Sequence, residues 1–242
     1  MSVFDWAFTG QEGNVAKFIH DHPDKLREVN DQGRSLMVCA AAGGNTSVVE
    51  LIHDFAPDLI DVADNEGMTP VYHAAMKDHV CTMLTLIKHG CNYEKSDFIG
   101  RTPLLAAVFF GAKRTVQCLL ELKPELSMVS SNNGCLPLHS AVASGNSSAL
   151  KHLLRIAKTK KNCAMQLAPF PETGETALHI AVKQNKNRCI TILLLDDVSK
   201  KATMMKDNNG RRPISYALES GNALIIGLLV RHCEIDRALL SY

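Results

Sequence analysis

An eight-residue pattern recurs six times along the chain, and this repetition constrains the fold more than any other feature of the sequence. The copies read GRSLMVCA at 33–40, GMTPVYHA at 67–74, GRTPLLAA at 100–107, GCLPLHSA at 134–141, GETALHIA at 174–181 and GRRPISYA at 210–217. Their glycines are separated by 34, 33, 34, 40 and 36 residues. A period of this length predicts an array of stacked repeats, in which each repeat shares a core with its neighbours.

The residue types within one copy predict its local structure. A glycine takes the positive φ that a hairpin tip requires, and the Thr-Pro pair then starts a helix, because a proline at the first helical position loses no hydrogen bond. A second apolar set with helical spacing follows each copy. Each repeat is therefore predicted to be helix, turn, helix and β-hairpin loop, and the fold class to be all-α.

The pattern resembles the Gly-x-Thr-Pro-Leu-His-x-Ala signature of the ankyrin-repeat family, which the six copies carry fully or in part. The resemblance covers residues 30–236 strongly and the N-terminus weakly. It implies an L-shaped solenoid whose hairpin tips and first helices line a concave face, and in this family that face usually binds proteins.

The resemblance and the spacing together give the predicted boundaries. They are an N-terminal capping helix pair at 1–30, repeat 1 at 31–63, repeat 2 at 64–96, repeat 3 at 97–130, repeat 4 with an insertion at 131–170, repeat 5 at 171–206, and repeat 6 with the C-terminal cap at 207–242. Residues 1–30 combine an apolar helical face with polar residues on the outside, as a terminal repeat requires. This pattern favours an array that starts here over a fragment of a longer array.

Composition and charge limit the classes of partner and compartment. A formal net charge of +1 gives no bulk attraction to nucleic acid or to an anionic membrane. The sequence begins without a basic leader, and no apolar run reaches the roughly 18 residues of a membrane span. The eight cysteines form no Cys-x-x-Cys pair, which favours reduced thiols over disulfides. We expect a cytoplasmic or also nuclear protein that is a monomer, without nucleic-acid binding or membrane insertion.

No set of residues predicts catalysis, a metal site or a cofactor. The sequence lacks a glycine-rich phosphate loop, a serine elbow and a metalloprotease motif. His139 and His179 stand in the signature, where the family uses imidazole to bind neighbouring backbone and a threonine hydroxyl. The other histidines show no zinc-ligand spacing.

The residues that face the concave side follow from the family resemblance, applied position by position. They are the two residues before each tip glycine, the residue after it, and two residues near the end of the first helix. In repeats 5 and 6 this rule selects Glu172, Thr173, Glu175, Lys183, Gln184, Asn208, Asn209, Arg211, Glu219 and Ser220.

Repeat 3 is unusual because this rule places four large apolar side chains on the concave side. The predicted partner-binding residues in repeats 2 and 3 are Glu66, Met68, Met76, Lys77, Phe98, Ile99, Arg101, Phe109 and Phe110. An exposed apolar patch of several hundred Å² with charged residues at its rim is typical of an interface. The alternative for Phe109 and Phe110 is that they turn inward and fill space between repeats 2 and 3.

Repeat 4 carries an insertion at 158–171, and the basic segment 151–161 precedes and overlaps it. We expect a prolonged second helix and a loop closed by Pro169, Phe170 and Pro171. The basic segment is interpreted as a solvated helix end whose cations complement the helix dipole, with an acidic partner or phosphate as the alternative.

The resulting hypothesis is a non-catalytic protein–protein interaction module, an adaptor or scaffold that holds a partner segment on its concave face. Two alternatives remain open. One is a proteasome-assembly chaperone resembling gankyrin, and the other is the cytosolic ankyrin region of a larger channel or signalling protein.

Overall fold

The computed structural model describes residues 1–159, 167–195 and 199–233, and these residues form two compact units, Met1–Leu122 (unit 1) and Lys123–Tyr242 (unit 2). Throughout the described ranges the regular structure is helical, and all the α-helices except Ser199–Met204 occur in pairs separated by short turns. The all-α class predicted from the sequence is confirmed.

The signature residues start the first helix of each pair. Thr69 and Thr102 precede helices that begin at Pro70 and Pro103, and each hydroxyl accepts a hydrogen bond from the backbone N–H three residues on. Ser35 does the same for repeat 1 without a proline. The threonine therefore caps the helix, and the proline occupies a position whose N–H would have no helical partner.

Unit 1 lies wholly within the described residues and contains four helix pairs. The bounds are α1 Val3–Thr9, α2 Glu12–Asp21, α3 Leu36–Gly43, α4 Thr46–Phe55, α5 Pro70–Met76, α6 Val80–Lys88, α7 Pro103–Phe110 and α8 Lys113–Leu122. The first helix of each pair contacts the first helix of the next pair, in the order α1, α3, α5 and α7. The second helices contact each other in the same way, in the order α2, α4, α6 and α8. The core lies between the two series and between successive first helices, where nearly every residue of α3, α5 and α7 is buried.

Unit 2 repeats this arrangement in its described part. The bounds are α9 Pro137–Ala143, α10 Ser147–Thr159, α11 Ala177–Lys183, α12 Asn187–Leu194, α13 Ser199–Met204, α14 Pro213–Ser220 and α15 Ala223–Cys233. Helix α10 has 13 residues, whereas α4 and α8 have 10 each, so the second helix of repeat 4 is prolonged as expected.

The hairpin loops are tight turns rather than strand pairs, and the described residues contain no β-strand. In repeat 2 the turn is closed by hydrogen bonds from the Asp64 N–H to the Met68 carbonyl and from the Gly67 N–H to the Asp64 carbonyl. The tip glycines have φ between +70° and +81°, which glycine adopts without strain. The two arms of each turn are too short to form a strand ladder.

Successive tips within a unit are also joined to each other. The Asn65 N–H donates to the Gln32 carbonyl at 3.1 Å, and the Phe98 N–H donates to the Glu66 carbonyl at 3.1 Å. In unit 2 the Asn208 N–H donates to the Thr173 carbonyl at 3.0 Å. The tips of repeats 2, 3 and 6 are therefore each fixed by a backbone hydrogen bond to the tip before it.

Several expectations fall on residues outside the described ranges. These are the part of the insertion at 160–166 with Lys160 and Lys161 of the basic segment, the acidic pair at 196–197, and the polar C-terminal cap after residue 233. Across the described ranges, every helix is too short or too polar to cross a lipid bilayer.

Candidate protein-binding surface

The tip of repeat 3 is held from beneath by the carboxylate of Asp97, which is buried. Its Oδ1 accepts hydrogen bonds from the backbone N–H groups of Ile99 at 3.1 Å and Arg101 at 2.8 Å. Its Oδ2 accepts from the Tyr72 hydroxyl at 2.9 Å and from Arg101 Nε at 2.8 Å. A buried carboxylate with four donors is fully satisfied, so it fixes the backbone that carries the two apolar tip residues.

Tyr72 is a positioning residue that the sequence reasoning missed. It occupies the slot where the signature has histidine, and its side chain is fully buried. Burial and the charge of Asp97 raise the pKa of the Tyr72 hydroxyl, so the phenol stays protonated and continues to donate. The signal in the sequence was a tyrosine at an inward-facing position, because a buried phenol needs a hydrogen-bond acceptor.

Phe98 and Ile99 point away from this anchor into solvent. Their side chains are 73% and 56% exposed. The Phe98 ring lies over Gly67 of the preceding tip, where a Cβ atom would stand 2.7 Å from Phe98 Cδ1. The ring therefore covers the glycine backbone with one face and leaves the other face accessible.

Phe109 and Phe110 end helix α7 and are also exposed, at 52% and 55%. Their rings contact each other edge to face, with centroids 5.2 Å apart and an interplanar angle of 84°. The helix then stops at Gly111, which has a φ of +81°. The alternative that both rings turn inward as core residues does not describe this structure, because each presents half of its surface to solvent.

Met68 differs from its expected position. It was expected on the concave surface, but its side chain is only 6% exposed and packs against Tyr72 and Ala106. Met76 is partly buried against the same cluster. An unbranched thioether follows the irregular space beside the helix, and its burial removes apolar surface from water. Met68 therefore belongs to the core beneath the surface.

The three charged residues expected at the rim have different roles. Glu66 and Lys77 are exposed. Arg101 is half-buried, and its Nε donates a hydrogen bond to Asp97. Arg101 therefore helps to hold the tip of repeat 3. We use the name repeat-3 surface below for Phe98, Ile99, Phe109 and Phe110.

The histidines of the signature have structural roles. His139 Nδ1 accepts from the Leu136 N–H at 3.3 Å, and its Nε2 lies 2.9 Å from the Ala168 carbonyl. His179 repeats this arrangement with Thr176 on Nδ1 and the Arg211 carbonyl on Nε2. An acceptor at Nδ1 and a donor at Nε2 require the neutral ring, and burial lowers the pKa of both histidines.

A buried His–Asp pair in unit 1 is likewise structural. His73 Nε2 lies 2.8 Å from Asp64 Oδ2, and Arg34 Nε lies 3.4 Å from the same oxygen. Burial lowers the pKa of His73, while Asp64 opposes that shift. The side chains of His73 and Asp64 are both only 2% exposed, so no substrate can reach the pair.

Two buried cysteines of unit 1 are held in the unreactive thiol form. Burial raises the pKa of the Cys39 thiol to about 11 and that of Cys91 to about 12, which suppresses the reactive thiolate. Within the described ranges, no three His, Cys, Asp or Glu side chains come together in a way that could hold a metal ion.

The end of the repeat-4 insertion is ordered against the signature residues. The Phe170 N–H donates to the Glu175 carbonyl at 2.8 Å, and the Gly174 N–H donates to the Phe170 carbonyl at 2.7 Å. Pro171 covers Gly134, where a Cβ atom would lie 2.3 Å from its Cγ. Phe170 therefore belongs to the turn at the tip of repeat 5. The expected closure of the insertion loop by Pro169, Phe170 and Pro171 stays a prediction, because residues 160–166 lie outside the described ranges.

Comparison with known proteins identifies the repeats. A family model described as "Ankyrin repeats (3 copies)" matches residues 6–97, 94–166 and 148–238. Among solved structures, the ankyrin repeat domain of Bcl-3, a member of the IkappaB protein family, superposes with a TM-score of 0.75 and 20% identity, covering 95% of this chain and 97% of that chain.

Curated relatives are much longer proteins. Human SH3 and multiple ankyrin repeat domains protein 2 is 26% identical over 73% of this chain and 9% of its own length. The human transient receptor potential cation channel subfamily A member 1 is 25% identical over 88% of this chain and 19% of its own length. The chain thus spans less than a fifth of the length of these relatives.

Proposed function

Because the chain belongs to the ankyrin-repeat family, whose members generally bind proteins, we propose that it is a non-catalytic adaptor that captures a partner protein through the repeat-3 surface. The observation that carries this proposal is that one repeat contributes four large apolar side chains, each more than half exposed. Monomeric proteins rarely leave such a group uncovered unless it forms an interface.

The partner is expected to present apolar side chains to this surface. Aromatic residues dominate the binding energy of many interfaces, and truncation of one such residue costs about 2 kcal/mol or more of binding. Glu66 and Lys77, both exposed nearby in the sequence of repeat 2, supply charges of opposite sign that can orient the partner.

Photo-crosslinking tests the proposal directly. Benzoyl-phenylalanine placed at Phe98 or Phe110 should crosslink to one protein in host lysate, and mass spectrometry identifies it. Phe98→Ser combined with Ile99→Ser should abolish affinity capture of that same protein. The matched control is Val29→Ser combined with Phe55→Ser, which removes two apolar side chains that are 51% and 60% exposed elsewhere in unit 1.

The proposal fails if the serine variant at the repeat-3 tip and the control variant capture the same protein equally well. It also fails if the crosslinks at Phe98 and Phe110 reach only abundant proteins that a crosslinker at Phe55 reaches too. In either case the four exposed side chains are not the capture site.

A second candidate is that this chain acts as the cytosolic ankyrin region of a larger channel or signalling protein. The relatives named above favour it, since each carries its ankyrin repeats within a far longer protein. An antibody raised against this chain and used on host lysate checks the idea. A single band at the mass of the 242-residue chain contradicts it, and a much larger band supports it.

A further inference from the structure

Unit 2 contains an open groove of about 600 Å³ that the proposed function does not use. Its lining comes from the end of α11, the tip of repeat 6 and the helix α14. The lining residues are Lys183, Asn209, Arg211, Tyr216, Glu219 and Ser220. All of these except Tyr216 stand at positions that the repeat pattern assigned to the concave side.

Tyr216 holds the two cations of the groove in place. Lys183 Nζ and Arg211 Cζ each lie 5.6 Å from the centre of its ring, at the distance of a cation–π contact. The Tyr216 hydroxyl donates to Asp207 Oδ2 at 2.5 Å, which fixes the ring. The aromatic side chain therefore positions an ammonium and a guanidinium at one groove.

Among the side chains that line the groove, the two cations Lys183 and Arg211 outnumber the one carboxylate, Glu219. Lys183 pairs with Glu175 at 2.7 Å, but the Glu175 side chain is largely buried and does not line the groove. Arg211 pairs through Nη1 with Glu219 at 2.9 Å, which leaves its Nε and Nη2 out of that ion pair. A ligand thus meets two cations and one carboxylate.

Hydrogen-bond donors outnumber acceptors among the lining side chains. The ammonium of Lys183 and the guanidinium of Arg211 only donate, whereas the Asn209 amide can donate or accept. A basic segment would meet Lys183 and Arg211 and be repelled. A carboxylate would gain charge-assisted hydrogen bonds, and the guanidinium is suited to bind it with two parallel bonds.

We propose that this groove binds a glutamate or aspartate side chain within an extended acidic segment of a partner protein. The site consists of different residues from the repeat-3 surface and goes beyond the proposed function. The ligand carboxylate accepts hydrogen bonds from Arg211 Nε and Nη2 and from Lys183 Nζ, while Glu219 remains at the rim.

Fluorescence anisotropy with a short fluorescein-labelled peptide of alternating glutamate and alanine tests the proposal on the full chain. Arg211→Met and Lys183→Met should each weaken binding at least about tenfold, because each removes one charge-assisted contact. Glu219→Gln should tighten binding, since it releases Arg211 from its internal partner. The corresponding glutamine–alanine peptide should not bind.

Arg188→Met is the matched control, because it removes an exposed cation from α12 that does not line the groove. The Arg211 backbone bonds to His179 and Asp207 do not depend on its side chain, so the thermal midpoint should confirm that the variant is folded. Phe98→Ser with Ile99→Ser should bind the peptide normally, which separates this test from that of the proposed function.

Four outcomes overturn the inference. Three of them are no binding of the acidic peptide, equal weakening by Arg188→Met and Arg211→Met, and binding that is insensitive to Arg211, Lys183 and Glu219 alike. Displacement of the peptide by inorganic phosphate at comparable affinity would assign the groove to phosphate ligands and overturn its assignment to an acidic protein segment.

Discussion

The carboxylate of Asp78, at the end of the first helix of repeat 2, accepts a hydrogen bond from the backbone N–H of Thr115 at 2.8 Å. Thr115 is the third residue of α8, so Asp78 caps a helix of the following repeat. Asp78 has a φ of +63°, in the left-handed region where repeats 1, 3, 4 and 6 use glycine and repeat 5 uses Asn185. The side chain thus compensates for an unfavourable backbone conformation by satisfying a free helix N–H.

Substitution of Asp78 should separate these two contributions. Asp78→Asn keeps an acceptor and should change the free energy of unfolding by less than about 0.5 kcal/mol. Asp78→Ala loses the cap and retains the strain that Asp78 already has, so it should cost about 1–2 kcal/mol. Asp78→Gly also loses the cap but relieves the strained backbone, so its free energy of unfolding should lie within about 1 kcal/mol of that of the parent chain and above that of the alanine variant. Denaturant unfolding gives the order, and an alanine variant as stable as the glycine variant would contradict it.

The repeat-3 surface should contribute little to stability. Phe98→Ser with Ile99→Ser removes exposed side chains and should lower the free energy of unfolding by no more than about 1 kcal/mol. Met68→Ser, one repeat earlier, puts a hydroxyl into the core and should cost about 2–5 kcal/mol. Thermal unfolding monitored by circular dichroism compares the two. A large loss in the double variant would mean that the tip side chains are part of the core.

Gly43 lets the first two helix pairs of unit 1 approach each other. A Cβ atom at Gly43 would stand 2.0 Å from the Phe8 carbonyl oxygen, although the φ of Gly43 is ordinary. Gly43→Ala should therefore displace α1 and destabilise unit 1 by about 1–3 kcal/mol, as overpacking does. Hydrogen exchange in α1 and α2 should accelerate.

Gly13 provides the control for this prediction. It lies inside α2, and a Cβ atom there would meet nothing within 4 Å. Gly13→Ala should stabilise the chain by about 0.5–1 kcal/mol, because alanine loses less backbone entropy in a helix. If both alanine variants shift stability in the same direction, close packing at Gly43 is not the deciding factor.

Acidification should destabilise unit 2 through His139 and His179. Both folded pKa values lie below the unfolded value near 6.5, because the rings are buried and neutral. The unfolded chain then binds more protons than the native chain below that pH, so the free energy of unfolding falls as the pH drops from about 6.5 towards the folded pKa values. Above pH 6.5 this contribution is fully present.

His179→Asn checks the assignment. Loss of the Thr176 and Arg211 hydrogen bonds should lower stability at pH 7, while the slope of stability between pH 6.5 and pH 5 should become shallower. The measurement is a series of denaturant unfolding curves across that range. An unchanged slope in the variant would show that His179 does not supply the pH dependence.

The repeat architecture could be predicted from the sequence because the residues of each copy determine their own local structure. The threonine cap and the proline at the first helical position act within four residues, so the starts of α5 and α7 could be predicted without tertiary information. The exposure of Phe98 and Ile99 followed from the same register. Their role in binding a partner remains a prediction.

What the sequence did not show depends on contacts between repeats. Tyr72 reaches Asp97 across 25 positions, and Asp78 reaches Thr115 across 37, so neither bond has a local signal. Met68 was misplaced because its position holds arginine in repeats 1, 3 and 6, and an arginine can bury its stem while its charged head reaches a carboxylate. A methionine has no charged head to keep at the surface, and so it packs fully inward.

The backbone bonds that tie one tip to the next have a consequence for how such a chain can diversify. The Phe98 N–H and the Glu66 carbonyl hold their positions whichever side chains they carry, since neither bond involves a side-chain atom. Selection can therefore exchange the residues displayed at 98 and 99, and with them the molecule that is recognised, without rebuilding the scaffold. Substitutions at these positions can therefore change what the protein binds without changing how it folds.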